Sequence, residues 1–157
     1  MRLFEFHETN GLFACVNFSN DTVAALTEYQ KANNVQNPLE DDFHSTVVYH
    51  TKPLPKFQAL GDIDWQGKFT GLDIFNHDED GGNCLVIKFS CPELEQRWKD
   101  CCDMGAEWDY DEFRPHITLS YDAGEVDLDS FPPFEGPINM VKEVSSPLDS
   151  DYEEDHK

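Results

Sequence analysis

Apolar positions in the first third of the chain predict a strand, a helix and a second strand. Residues 12–18 are apolar nearly throughout, which is typical of a buried strand. Apolar side chains then recur at helical spacing after Asn20-Asp21, a polar pair that can begin a helix, and Asn33-Asn34 can end it. Residues 43–50 follow a turn-rich connector. They predict the second strand.

The second half of the chain repeats this mixture of strands and a helix. Strands are predicted at residues 68–76, 84–90, 115–121 and 138–144. The acidic, glycine-containing residues 78–82 predict a hairpin turn between the first two of these strands. Pro92 can occupy the first turn of a helix and Gly105 can end it, so residues 92–105 predict a second helix.

Each half therefore contains a helix that is followed, after a loop, by a strand with a His-x-Thr sequence. We predict an α+β fold with two similar lobes, each a small antiparallel sheet with a helix, facing each other across a central cleft. Residues 1–145 are assigned to a single bilobal domain. Residues 146–157 are assigned to an acidic C-terminal tail outside it.

The charge of the chain limits its partners. It has 32 Asp+Glu against 11 Lys+Arg, a formal net charge of −21. Affinity for long nucleic acids depends on Lys and Arg that displace counterions, so such a partner is not expected. A small anionic ligand held in one local pocket is compatible with this charge. No apolar run approaches the roughly 18 residues of a membrane span, and no signal peptide is predicted.

The cysteines predict neither disulfides nor a metal site. There are five, an odd number, and no CxxC or Cys/His ligand spacing is present. Reduced cysteines in a cytosol are the simplest interpretation, and we expect no metal and no cofactor.

The chemistry lies in two tetrapeptides, His44-Ser45-Thr46-Val47 and His116-Ile117-Thr118-Leu119. Residues i and i+2 of a strand point to the same face, so each motif places an imidazole beside a hydroxyl. Two histidines on one surface suit transfer at a phosphodiester, one as general base and the other as general acid. The threonine hydroxyls can donate to the phosphate oxygens as charge develops there. This chemistry requires no metal.

Paired His-x-Thr-hydrophobic motifs resemble those of the 2H phosphoesterase superfamily, whose LigT-like fold has two pseudo-symmetric lobes. This resemblance implies a phosphodiesterase with four catalytic residues, His44, Thr46, His116 and Thr118. Within the superfamily, the chain is most similar to the phage anti-CBASS phosphodiesterases. Further similarity to them lies in the segments 10–13, 71–75 and 90–94.

The resemblance to the anti-CBASS phosphodiesterases implies a substrate and a place of action. The substrates expected are cyclic di- and trinucleotides such as cyclic GMP-AMP, the signals of bacterial CBASS immunity. The reaction expected is attack of a ribose 2′-OH on the adjacent 3′–5′ phosphate. The place is the cytoplasm of an infected bacterial host, and a monomer is sufficient.

The resemblance also suggests three substrate-binding positions. Phe13, on the first strand, would stack on a base, at a place where the family is expected to have Tyr. Phe75 lies near a second stacking position, where Trp is expected. Glu143, on the last strand, would accept a hydrogen bond from a base amine.

Other functions remain open at this point. A 2H phosphodiesterase can act on RNA 2′,3′-cyclic ends or on 2′,5′-oligoadenylates. A catalytically silent sponge would only sequester the cyclic nucleotide, which the intact His/Thr quartet argues against. An acidic protein that mimics nucleic acid would explain the charge but not the paired motifs.

Overall fold

The computed structural model describes residues 11–40, 43–50, 52, 54–77, 82–106 and 113–147. Within them lie seven strands, two α-helices and one short 3-10 helix, Leu128–Ser130. The helices are α1 (Asn20–Ala32) and α2 (Pro92–Asp103). The strands are β1 (Leu12–Phe18), β2 (His44–His50), β3 (Gly61–Gln66), β4 (Lys68–His77), β5 (Gly82–Ser90), β6 (His116–Ser120) and β7 (Asn139–Pro147).

The strands form two antiparallel sheets. The first has the order β2-β1-β7-β3 and the second the order β4-β5-β6. β2 and β6 are edge strands of their sheets and contact each other, so the sheets meet along the strands that carry the two His-x-Thr motifs. β7 lies between β1 and β3, so the last described strand pairs with the first.

Each helix is bonded to the sheet of the other lobe. Gln30 on α1 donates to the carbonyl oxygen of Leu119 on β6 at 2.9 Å. Arg97 on α2 donates to the carboxylate of Glu143 on β7 at 2.7 Å. The lobes are therefore not two independent halves of the sequence. One contiguous cluster of buried apolar side chains, including Val16, Leu26 and Ile117, draws on both sheets and both helices.

Local sequence explains where the helices begin. The Ser19 hydroxyl accepts a hydrogen bond from the backbone N–H of Thr22 at 3.2 Å and caps α1, so the cap precedes the predicted Asn20-Asp21 start by one residue. Pro92 opens α2 as predicted, because its missing N–H costs nothing in the first turn.

β3 was not predicted, although its sequence carries a signal. Gly61, Ile63 and Trp65 are half-buried and alternate with exposed polar residues, which is the pattern of a strand with one solvent face. β7 continues to Pro147, beyond the domain boundary expected at residue 145. Residues 148–157 of the expected tail, and residues 78–81 of the expected hairpin turn, lie outside the described residues.

In the described ranges, no helix is both long enough and apolar enough to span a membrane.

Candidate active site

The two His-x-Thr motifs lie on neighbouring edge strands, where the register places their side chains on one face of each sheet. In the first sheet, His44 is opposite Asn17 and Thr46 is opposite Cys15. In the second, His116 is opposite Lys88 and Thr118 is opposite Val86. Opposite residues of antiparallel strands share a face. We refer to the sheet faces that carry His44 and His116 as the cleft faces.

The residue between His and Thr points the other way in each motif. Ser45 and Ile117 are buried in the interior, with 1 % and 0 % of their surface exposed. His44, Thr46 and His116 are half-buried, and Thr118 is 8 % exposed. The two motifs therefore present His and Thr to the cleft while the intervening side chain anchors the strand.

The His116 ring is held in one tautomer. Its Nδ1 lies 2.8 Å from the carbonyl oxygen of Arg114. A carbonyl oxygen only accepts, so Nδ1 carries the hydrogen and donates it. In the neutral ring, Nε2 is then the nitrogen with a free lone pair. This arrangement suits an imidazole that is to remove a proton from a substrate.

Burial lowers the pKa of the His116 imidazole below its ordinary value. The hydrogen bond to Arg114 opposes this shift, and the nearby charge of His44 lowers the pKa further. The two imidazoles lie on contacting strands, β2 and β6. Because one positive charge disfavours a second, a charge on His44 disfavours protonation of His116.

An aromatic ring lies against each histidine. The centroid of the Phe13 ring is 5.9 Å from that of His44, and the rings are nearly perpendicular. The Phe75 ring contacts His116 in the same edge-on manner, at 4.9 Å. Both phenylalanines are half-buried. The structure thus brings two of the three predicted binding residues to the predicted catalytic ones, one on each side of the cleft.

The hydroxyl of Thr118 has a neighbour that the sequence did not single out. The Sγ of Cys84 lies 3.8 Å from Thr118 Oγ1, within reach of a weak hydrogen bond. Cys84 is 4 % exposed, and burial raises the pKa of its thiol while the hydrogen bond to Thr118 lowers it. The thiol therefore stays neutral beside the hydroxyl.

The structure contradicts the proposed contact between Glu143 and a base. Glu143 is opposite Val16, and Val16 is opposite Ser45, so its side chain points to the buried face of the first sheet, away from His44. It is 1 % exposed and binds Arg97 through Nε and Nη2, at 2.9 and 2.7 Å. It also accepts from the backbone N–H of Leu60 at 2.9 Å. A carboxylate with these partners is structural.

Lys88 also lies beside the predicted catalytic residues, although no motif marks it in the sequence. It stands in an apolar strand, β5, with Ile87 before it and Phe89 after it, and it is the residue opposite His116. A lysine inside an apolar strand, at a position that shares the cleft face by the two-residue period of the strand, could have been recognised from sequence as a candidate site residue. Among the described residues, no group of three or more His, Cys, Asp or Glu side chains could hold a metal ion.

Residues 10–155 match the family described as "Anti-CBASS protein Acb1". The chain belongs to this family. A relative so described in Vibrio phage KVP40 is 31% identical over 153 residues, covering 97% of each chain. One in Enterobacteria phage T4 is 29% identical over 157 residues, covering 99% of this chain and 100% of the relative.

Solved structures show the same fold in LigT-like proteins. Escherichia coli LigT complexed with NADP+ superposes with a TM-score of 0.60 and 15% identity, covering 90% of this chain and 96% of LigT. A second crystal structure, described as a phosphoesterase, gives 0.58 and 14%, covering 90% and 97%. The predicted α+β, LigT-like 2H phosphoesterase fold is therefore confirmed. The family and the fold together support an anti-CBASS phosphodiesterase.

Proposed function

We propose that this protein cleaves the 3′–5′ phosphodiester bonds of cyclic di- and trinucleotides such as cyclic GMP-AMP without a metal. Removing these signals in the cytoplasm of an infected bacterium would let a phage evade CBASS immunity. The observation that carries this proposal is the pair of His-x-Thr motifs on contacting edge strands, in a chain that belongs to the Acb1 family.

The reaction begins with attack of a ribose 2′-OH on the adjacent phosphorus. The general base takes the hydroxyl proton, the 2′-oxygen bonds to phosphorus, and the bond from phosphorus to the 5′-oxygen breaks. The general acid gives its proton to that leaving oxygen. A linear nucleotide with a 2′,3′-cyclic phosphate results, and water opens this phosphate with the two histidines in exchanged roles.

We assign the base of the first step to His116 and the acid to His44. The lowered pKa of His116 keeps it neutral near pH 7, and its Nδ1–H bond to Arg114 leaves the lone pair of Nε2 for the 2′-OH proton. His44, protonated, then supplies the proton for the leaving oxygen. The hydroxyls of Thr46 and Thr118 donate to the non-bridging oxygens, where negative charge grows in the transition state.

Phe13 and Phe75 are proposed to stack on the two bases. Each ring lies nearly perpendicular to a catalytic histidine and is half-buried, so part of each ring is exposed beside the proposed catalytic residues. Base–aromatic stacking contributes about 1–3 kcal/mol for each base. Two such contacts, one on each side of the scissile phosphate, suit a substrate with two bases.

The first experiment is incubation with 3′,3′-cyclic GMP-AMP in EDTA, followed by mass spectrometry. We expect a linear product with a terminal 2′,3′-cyclic phosphate or 3′-phosphate, and intact substrate from the His44→Ala/His116→Ala variant. An all-2′-deoxy cyclic dinucleotide lacks the nucleophile and is the matched control. Its cleavage at an equal rate would contradict attack by the 2′-OH.

The acid and base assignments have their own test. A substrate with sulfur in place of the 5′-bridging oxygen has a leaving group that needs no protonation. We expect this substrate to restore much of the activity of His44→Gln and little of that of His116→Gln. The opposite pattern would reverse the assignment.

The alternatives predict different results. If the protein opens an RNA 2′,3′-cyclic end or a 2′,5′-oligoadenylate faster than any cyclic dinucleotide, its substrate belongs to that class instead. Recovery of intact cyclic dinucleotide from a denatured complex would indicate a sponge. The net charge of −21 disfavours a long RNA, because the phosphate backbone is repelled.

A further inference from the structure

We infer that Lys88 binds the second, non-scissile phosphate of a cyclic dinucleotide, and so sets a preference for substrates with two phosphodiesters. This inference rests on the proposed function. It begins from three residues that lie in one row across the cleft face of the second sheet. His116 on β6 is opposite Lys88 on β5, and Lys88 is opposite Gly71 on β4.

The position of Lys88 relative to His116 places its charge near the reaction. Neighbouring strands lie about 4.8 Å apart, and directly opposite side chains extend from the same face. In the proposed mechanism, Nε2 of His116 accepts the proton of the 2′-OH that attacks the scissile phosphorus, so this phosphate lies beside His116. A lysine on the adjacent strand therefore stands one strand spacing away from that phosphate.

The ion pair of Lys88 directs the ammonium away from His116. Lys88 Nζ lies 3.5 Å from Oδ2 of Asp73, and Asp73 is on β4, which borders β5 on the side opposite β6. The ammonium thus lies to the side of the histidine. A group to the side of the reacting phosphate is placed to hold a second phosphate more readily than the scissile one.

There is room for such a phosphate. A Cβ atom placed at Gly71 would meet no heavy atom within 4 Å, so the space beside Lys88 on the β4 side is open. Lys88 and Asp73 are 38% and 40% exposed, so their ammonium and carboxylate are accessible from solvent. An exposed pair of this kind adds little to stability and can be exchanged for a stronger contact with phosphate.

The chemistry of the substrate favours this contact. A cyclic dinucleotide closes its ring through two phosphodiesters, so the second phosphate is held near the scissile one and carries its own negative charge. A surface of net charge −21 repels that charge unless a local cation offsets it. A linear dinucleoside monophosphate contains only the scissile phosphate, and it has no group for Lys88 to bind.

The two substrates separate the role of Lys88 from the chemical step. We would measure kcat and KM for 3′,3′-cyclic GMP-AMP and for linear GpA with the wild type, Lys88→Gln and Lys88→Arg. For Lys88→Gln we expect KM for the cyclic substrate to rise about 10- to 100-fold, the usual loss for a hydrogen bond to a charged group. We expect kcat, and KM for GpA, to stay within about twofold, and Lys88→Arg to be near the wild type.

Lys99→Gln is the matched control. Lys99 is exposed on α2, the helix whose Arg97 packs on the buried face of the first sheet, so this variant removes one charge away from the cleft. If KM for the cyclic substrate rises equally in Lys88→Gln and Lys99→Gln, the effect is a general one of charge, and the inference is overturned. The inference is also overturned if Lys88→Gln raises KM equally for GpA and the cyclic substrate, or raises KM for neither. If the wild type cleaves neither substrate, the proposed function itself is wrong, and the inference falls with it.

Discussion

Breaking the buried ion pair between Glu143 and Arg97 is expected to have a large effect on stability. Glu143→Gln keeps the size of the side chain but removes its charge. The guanidinium of Arg97, 8 % exposed, then faces a neutral amide with one acceptor oxygen in place of the carboxylate to which Nε and Nη2 donate at 2.9 and 2.7 Å. Its remaining contacts are the carbonyl oxygen of Gln58, at 2.7 Å from Nη2, and the ring of Phe57, 4.8 Å from the guanidinium carbon. Neither is an anion.

The magnitude follows from the cost of an unpaired charge in an interior. Arg97 stays charged after the substitution, because a guanidinium is not deprotonated in a protein. Removing one partner of a buried pair costs about 3–5 kcal/mol. For a chain of 157 residues, each kcal/mol lowers Tm by about 2–4 °C. We therefore expect Tm of Glu143→Gln to fall by roughly 6–20 °C.

Thermal and urea unfolding would measure this loss. Arg97→Met/Glu143→Leu removes both charges, and we expect it to recover most of the stability, because paired apolar side chains replace a buried ion pair at little cost. Glu28→Gln, on the exposed side of α1, should change the free energy of unfolding by less than about 0.5 kcal/mol. The reasoning is refuted if Glu143→Gln keeps its Tm within about 2 °C and instead raises KM for the cyclic nucleotide.

Four further predictions concern the two motifs and the cleft. By NMR titration, the pKa of His116 should lie below its ordinary value and rise in His44→Gln, because one of the two lowering influences is removed; a fall would contradict this. Because the pKa of His116 is lower in the folded protein than in the unfolded chain, the unfolded chain binds a proton on His116 more tightly. The wild type should therefore lose more stability than His116→Gln as pH falls below about 6.5. If the free energies of unfolding of the two proteins fall in parallel with pH, this prediction is wrong. Ser45→Ala should raise the free energy of unfolding by up to about 1 kcal/mol with kcat unchanged, because the buried Ser45 hydroxyl has no hydrogen-bond partner among the described residues; destabilisation in urea would show that a partner is lost. Phe75→Ala should raise KM for a cyclic dinucleotide about tenfold, as one stacking contact is lost, and an unchanged KM would remove Phe75 from the binding site.

Local sequence signals predicted most elements because each carries its own periodicity and end signals. The two helices and all strands except β3 follow from apolar spacing together with Ser, Asn, Pro and Gly near the boundaries. The pairing of His and Thr on one face followed from the two-residue period of a strand. Both motifs could thus be located from sequence, and the family comparison agrees with the superfamily they indicated.

Glu143 shows what local sequence patterns do not determine. Glu143 lies on β7, and the alternation along β7 alone does not say which face is buried. The answer depends on β1 and β3 on either side and on Arg97, which approaches from a helix 46 positions away in sequence. A glutamate is rarely fully buried without a partner, and sequence does not show that such a partner is present.

By itself, the sequence determined the α+β class and the two His-x-Thr motifs, since these depend on composition and short-range periodicity. Only the tertiary structure decided that β7 completes the first sheet, that each helix packs on the opposite lobe, and that Lys88 and Gly71 share a row with His116. These features depend on register between strands far apart in the chain. The register is set by how the whole core buries its apolar faces, and no local pattern contains that information.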